Sequence, residues 1–172
     1  DGVENVKSWQ KALSIQAPAG FVLSRQKLKV LKDDRAYGDV ENGGYLLTKR
    51  ENATLTLMAS GSEVFTALQA GCRLAKLGIN ANIVSVPCFD LFVEQDKAYI
   101  DAVIDKNTKV LAVEASSGVE WYRFADEVIG MNRFGASAPA ELLFEKFGFT
   151  VAHVTQKACA MMGVAYRSEE HT

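Results

Sequence analysis

The sequence has few of the residues that mark metal or disulfide sites. Its 172 residues include three cysteines and two histidines. Cys72, Cys88 and Cys159 form no CxxC pair, and His153 and His171 do not cluster with them. Because zinc and disulfide sites need such residues at close spacing, we predict free thiols, a reducing compartment and a cytoplasmic location.

Long apolar runs and an excess of positive charge are also missing. No stretch approaches the roughly 20 apolar residues that cross a bilayer, and residues 1–4 do not begin a secretory signal. The formal net charge is -2, whereas nucleic acid and anionic membranes require a basic surface. We therefore expect no nucleic acid and no membrane as partners. The 48% of hydrophobic residues can fill an ordinary globular core.

The chain does have a short N-terminal section followed by a charged stretch. Apolar residues at helical spacing predict a helix over residues 4–17, and the apolar run at 21–23 predicts a buried strand. The stretch 27–44 is rich in charge and contains three glycines, so it is the best candidate for a domain boundary.

Beyond this boundary, strand and helix patterns alternate. Strands are predicted over residues 54–59, 81–86, 109–113 and 128–131, and helices over 63–77, 91–104 (in two pieces), 120–126, 138–147 (capped by Ser137) and 151–162. Such alternation is typical of an α/β fold. We predict three layers, with a mixed, mostly parallel sheet covered by helices on both faces. The pattern does not give the order of the strands.

Arg25 is a candidate phosphate ligand because it closely follows the predicted strand 21–23. Ligands bind at the carboxyl edge of open α/β sheets, and a guanidinium can hold a phosphate through two parallel hydrogen bonds. The alternative is an arginine that caps the strand or pairs with Asp33 or Asp34. The pattern alone favours this structural role.

The turn Ser60, Gly61 and Ser62 is a possible weak anion site between a strand and a helix. Backbone N–H groups at a helix start point outwards, and the helix dipole favours negative charge. However, the turn is neither a GxGxxG motif nor a P-loop. Glu63 in the first helical turn would also repel a phosphate, so a serine cap with a favourable glutamate is the preferred alternative.

Two further residues were weighed as catalytic groups. Glu114 closely follows the strand 109–113, and His153 lies in the last predicted helix. Neither has a second acid, a nucleophile or a metal ligand at a matching spacing. We therefore predict no catalytic and no metal-binding residue in this chain.

Several segments resemble the C-terminal third of transketolases. They are LSRQ at 23–26, GGYLL at 43–47, ASGSEV at 59–64, VSVP at 84–87, FGASAPAELLF at 134–144 and FGFT at 147–150. The match is collinear over residues 1–164. It implies an enzyme that moves a two-carbon ketol unit between sugar phosphates, using thiamine diphosphate and a divalent cation, Mg or Ca. Such enzymes are homodimers.

The resemblance also implies a domain organisation and a role for Arg25. Residues 1–32 would be the last helix and strand of the middle, pyrimidine-binding domain, 33–44 a linker, 45–164 the C-terminal domain and 165–172 a tail. In this family the arginine of LSRQ contacts the phosphate of the substrate, which reverses the preference for a structural Arg25.

The motifs that bind the cofactor belong to parts of transketolases that this chain does not match. By resemblance, the chain alone is therefore expected to be inactive, to bind no cofactor, and to contribute contacts and the phosphate arginine. Two kinds of alternative remain. One is another thiamine-dependent synthase of the same superfamily, for dihydroxyacetone or deoxyxylulose. The other is a free-standing regulatory module that binds a small anion.

Overall fold

The computed structural model describes residues 1–31 and 40–166. Helix α1 (Gly2–Ser14) forms the N-terminal section, and all strands lie in residues 40–166, called the sheet region below. The strands are β1 (Tyr45–Thr48), β2 (Leu55–Ala59), β3 (Ala81–Ser85), β4 (Lys109–Val113) and β5 (Glu127–Ile129). The other helices are α2 (Glu63–Lys76), α3 (Phe89–Val93), α4 (Lys97–Val103), α5 (Ala140–Phe147) and α6 (Val151–Met161). Single 3-10 turns occupy Val40–Asn42 and Val119–Arg123.

Helix α1 begins and ends earlier than the predicted span of 4–17. The carboxylate of Asp1 accepts hydrogen bonds from two N–H groups of the first turn, which makes Asp1 the N-cap. Near the other end, the hydroxyl of Ser14 donates to the carbonyl oxygen of Lys11 at 2.7 Å. Such a local bond competes with helical pairing, and the backbone is extended directly after Ser14.

The predicted strand at residues 21–23 is wrong. In the described part of the chain, no strand pairs with these residues. Val22 is fully exposed and Leu23 is exposed as well. A strand needs a neighbour that satisfies its backbone N–H and C=O groups. An apolar run alone therefore does not make a strand here.

The five strands of the sheet region form one mixed sheet in the order β1-β3-β2-β4-β5. Strands β2 to β5 are parallel to one another, and β1 is an edge strand antiparallel to β3. Sequence analysis did not assign β1 as a strand. The predicted fold class, a mixed and mostly parallel sheet with helices, is confirmed.

Helices cover both faces of this sheet because successive side chains of each strand point to opposite sides. One core contains Leu57, Ile83 and Leu111 with residues of α2 and α6. The other contains Met58, Val84 and Ala112 with residues of α3, α4 and the turn Val119–Arg123. Among the described residues, no helix is long and apolar enough to cross a membrane.

The remaining elements agree with the sequence to within a few residues, with two corrections. As predicted, residues 91–104 contain two helical pieces, α3 and α4, and the first starts slightly earlier, at Phe89. Residues 120–126, expected to be helical, instead contain the 3-10 turn Val119–Arg123. The expected cap Ser137 does not begin α5, because the helix starts at Ala140 with Pro139 at the cap position.

Candidate functional site

Arg25 does not follow a strand, but its side chain is exposed. Within residues 1–31 and 40–166, no hydrogen bond or ion pair occupies its guanidinium. Asp33 and Asp34, the partners considered for a structural role, lie outside the described residues. The donors of Arg25 are therefore accessible within the described part of the chain, although Arg25 does not lie at the end of a strand.

The residues around Arg25, called the arginine segment below (residues 21–31), are held at both ends by α1. At one end the ring of Phe21 stacks on Trp9, with 4.2 Å between ring centroids and 8° between planes. At the other end the N–H of Leu31 donates to Oδ2 of Asp1 at 2.7 Å. The segment is thus fixed despite having no regular secondary structure.

The middle of the arginine segment lies over the start of α2. The ammonium of Lys29 is 4.9 Å from the centre of the Phe65 ring, a cation–π contact. A Cβ atom added at Gly61 would lie 3.9 Å from Oγ of Ser24. The arginine segment therefore runs beside the turn at residues 60–62, and the residue nearest to that turn, Ser24, directly precedes Arg25.

The predicted anion turn is occupied by carboxylates. Oγ of Ser60 donates to Oε2 of Glu114 at 2.6 Å, and Oγ of Ser62 donates to Oε1 of Glu63 at 2.6 Å. Ser62 is the N-cap position of α2 but its side chain makes no capping bond. Negative charges beside the turn oppose a bound anion. The anion site at Ser60, Gly61 and Ser62 stays a prediction, and the charges beside it count against it.

Glu63 is an acid buried at the start of α2. Burial raises the pKa of its carboxyl above the usual 4.5, and the negative charge of Glu114 raises this pKa further. The hydroxyl of Ser62 and the N–H of Ala115 act in the opposite direction by donating hydrogen bonds to the carboxylate. The ionised form of Glu63 is thus unfavourable in this position, and its charge would repel a phosphate.

Sequence analysis missed Glu4, which has the most buried side-chain contacts in α1. Its side chain is 7% exposed, and Oε1 accepts hydrogen bonds from the hydroxyls of Tyr45, at 2.9 Å, and Ser85, at 2.6 Å. The backbone nitrogen of Asp1 lies 3.7 Å from Oε2. The partners on the sheet are 41 and 81 residues away, so local spacing carries no signal for this cluster.

His153, the other candidate catalytic group, makes a local contact with the backbone. His153 is exposed, and its Nδ1 lies 2.7 Å from the carbonyl oxygen of Gly148, where α5 ends. All three cysteines are free thiols. Among the described residues, no group of three or more His, Cys, Asp or Glu side chains could hold a metal ion.

A groove of about 1430 Å³ lies between α2 and the corner where α5 meets α6. Its lining includes the cations Arg73, Lys76 and Lys146 and the apolar Phe65, Leu77 and Val151. None of Arg25, Ser60, Gly61 and Ser62 lies on this groove. The groove is therefore separate from the sequence-predicted site.

The matching family model, described as the transketolase-like C-terminal domain, covers residues 43–150. This chain belongs to the transketolase C-terminal domain family. The matched residues begin at the glycines before β1 and end at the cap of α6, so the family model spans nearly the whole sheet region.

Known relatives extend the match to the N-terminal section. Transketolase of Halalkalibacterium halodurans is 43% identical over an alignment of 170 residues, which covers 94% of this chain and 26% of that protein. The crystal structure of transketolase from Campylobacter jejuni has 46% identity and a TM-score of 0.87, and covers 93% of this chain and 25% of that one. The chain thus spans about a quarter of the length of these relatives.

A second similar structure was solved with a sugar phosphate. Transketolase of Pichia stipitis in complex with sedoheptulose-7-phosphate is 34% identical, with a TM-score of 0.69. The match covers 72% of this chain and 18% of that one. The ligand is a property of that protein, and the matched part is less than a fifth of it.

Proposed function

We propose that this chain is the C-terminal part of a thiamine-diphosphate-dependent transketolase, in which Arg25 binds the phosphate of the sugar substrate. The observation that carries this proposal is the collinear similarity to transketolases, which covers 94% of this chain but 26% of the relative. The whole enzyme transfers a two-carbon ketol unit between sugar phosphates and works as a homodimer. Residues 1–32 belong to its middle domain, 33–44 to a linker, 45–164 to its C-terminal domain and 165–172 to a tail.

The geometry around Arg25 supports a phosphate contact. Its guanidinium is exposed and accessible, while Phe21 and Leu31 on either side are fixed to α1. A planar guanidinium on a fixed backbone can donate two parallel hydrogen bonds to phosphate oxygens without first losing another partner. Arg25 would therefore recognise the phosphorylated end of the substrate and orient the rest of the sugar.

The chemistry of bond breaking comes from the bound thiamine diphosphate and its cation, Mg or Ca. The described residues do not fit this group, since they contain no cluster that could hold a metal ion. No step of the reaction is therefore assigned to residues of this chain beyond binding and orienting the substrate. By itself the chain is inactive.

Arg25→Ala in the full-length enzyme tests the phosphate role. We expect kcat/KM for phosphorylated sugars to fall, because two charged hydrogen bonds are lost. The fall should correspond to about 2–4 kcal/mol of lost transition-state stabilisation. Unphosphorylated sugars should be almost unaffected. Lys27→Ala is the matched control, because it removes one positive charge from the same exposed stretch. An equal effect of Arg25→Ala on both substrate types would contradict the assignment.

The other possible functions give different results. Calorimetry of the isolated chain should show no micromolar binding of sugar phosphates. Micromolar binding that Ser62→Ala abolishes would instead support a free-standing anion-binding module. The amino-acid sequence of the full-length protein before Asp1 distinguishes a transketolase from a dihydroxyacetone or deoxyxylulose synthase, because the three differ in the domains that precede this chain.

A further inference from the structure

Glu4 connects α1 to two neighbouring strands at once. Its Oε1 accepts hydrogen bonds from the hydroxyls of Tyr45 and Ser85. These two residues are directly opposite each other in the antiparallel pair of β1 and β3. The carboxylate is buried, where hydrogen bonds to a charged group are strong and a lost partner is costly. Glu4 therefore fixes the first turn of α1 on the sheet region.

The same helical turn holds the end of the arginine segment. Oδ1 of Asp1 caps α1 by accepting the N–H groups of Val3 and Glu4, at 3.0 and 3.1 Å. Its second oxygen, Oδ2, accepts the N–H of Leu31 at 2.7 Å. The two acids thus bind different parts of the molecule: Glu4 is bonded to the sheet and Asp1 to the arginine segment.

Helix α1 also holds the start of the arginine segment. Trp9, which stacks on Phe21, is eight residues after Asp1, or about 12 Å along a helix. A helix of 13 residues moves as one body over this distance. If the first turn of α1 moves on the sheet, both ends of the arginine segment therefore move with it. The exposed Arg25 lies between these ends.

We propose that Glu4 is a positioning residue for Arg25, acting through α1 to set where the guanidinium lies relative to the sheet region. This inference rests on the proposed phosphate role of Arg25 and deepens it. It assigns the sheet region a part in substrate recognition, through Glu4 and α1. Without the bonds of Glu4, α1 and the arginine segment would keep their contacts with each other. Only weaker contacts, such as the packing of Val3 and Leu31 against Val40 and Tyr45, would then hold them on the sheet region, so we expect them to shift together.

Two substitutions of Glu4 in the full-length enzyme test this proposal. Glu4→Ala removes the acceptor, and we expect KM for phosphorylated sugars to rise about tenfold, with kcat and unphosphorylated sugars little changed. Glu4→Gln keeps an oxygen at the position of Oε1 and should stay near the unmodified enzyme. If Glu4→Ala does not fold, Tyr45→Phe removes one donor alone and should give a smaller rise in the same KM.

Thr56→Val is the matched control for a loss of stability alone. Thr56 and Thr108 share a buried hydrogen bond of 2.7 Å between their hydroxyls, at the other end of the sheet from Ser85. This variant should leave KM and the hydrogen exchange of the Leu31 amide unchanged. Glu4→Ala should increase that exchange, because the turn that holds Leu31 is released.

Combining the variants separates the two proposals. If Glu4 acts through Arg25, adding Glu4→Ala to Arg25→Ala causes no further loss with phosphorylated sugars. If Arg25→Ala distinguishes the substrates but Glu4→Ala and Tyr45→Phe behave like Thr56→Val, the positioning role is overturned and the phosphate role survives. If Arg25→Ala affects both substrate types equally, the phosphate role itself fails.

Discussion

The N-terminal section and the sheet region hold their residues in different ways. In the sheet region, each strand pairs with a neighbour and both faces of β2, β3 and β4 are covered by helices. In residues 1–31, α1 meets the sheet region through the buried acid Glu4 and the partly buried Val3, and much of its apolar surface is exposed. One region is stabilised by its own core, whereas the other depends on a few specific contacts.

This difference suits the two proposed tasks. A scaffold benefits from a continuous core, because apolar burial is the main source of folding stability. A ligand-binding segment must keep its polar groups accessible, so it cannot be buried in the same way. Because of this difference in burial, we expect the two regions to respond unequally to mutation. Equivalent substitutions in each region can measure this.

The largest contrast is expected between two leucines on helices. Leu74 in α2 is 0% exposed, whereas Leu13 in α1 is 80% exposed. Leu74→Ala should reduce the free energy of unfolding by about 2–5 kcal/mol, through lost burial and the cavity that remains. Leu13→Ala should change it by less than about 0.5 kcal/mol. Urea denaturation of the 172-residue chain measures both, and similar losses would refute the contrast.

A smaller contrast is expected between two glycines. Gly43 has φ +83, and an added Cβ would lie 2.5 Å from the carbonyl oxygen of Cys88 and from the amide nitrogen of Phe92. Gly43→Ala should therefore cost about 2–3 kcal/mol. At Gly20 nothing lies within 4 Å of an added Cβ, so Gly20→Ala should be neutral to within about 0.5 kcal/mol. If Gly43→Ala did not reduce stability, the start of α3 would have to lie farther from Gly43 than these distances indicate.

The two regions also differ in how well the sequence predicts them. Strands β2 and β4 lie within a residue of their predicted bounds, because a continuous apolar run between turns marks a strand buried on both faces. The run at 21–23 has the same local pattern, yet it forms no strand, since strand pairing depends on a neighbour that local sequence does not contain. Strand β1 was missed for the opposite reason: it is short and at the edge, and its pairing with β3 defines it.

The candidate site shows the same limit. Arg25 was found because its residue type and motif are visible in the sequence, although its predicted place at a strand end was wrong. Glu4 carries no local mark, because its function depends on the hydroxyls of Tyr45 and Ser85, which come near it only in the fold. Residue chemistry can be predicted from local sequence, whereas contacts between distant residues require the tertiary structure.

Two buried acids, one in each region, give the smallest expected effect and the finest comparison. Glu4 accepts bonds from two hydroxyls of the sheet, whereas Glu63 accepts one hydroxyl bond and lies near the like charge of Glu114. Burial and this charge raise the pKa of Glu63 in the folded state. The folded state therefore binds a proton more tightly than the unfolded state, and stability falls as pH rises from the unfolded pKa near 4.5 through the raised one.

Glu63→Gln should remove this part of the pH dependence. Relative to the unmodified chain, the variant should gain stability as pH rises from about 4.5, and the gain should level off above the raised pKa of Glu63. Thermal denaturation between acidic and neutral pH measures the difference. Glu114→Gln should weaken the same dependence without abolishing it, because burial, the larger cause of the raised pKa, persists. A constant difference between Glu63→Gln and the unmodified chain at every pH would mean that Glu63 is ionised as easily in the folded as in the unfolded chain.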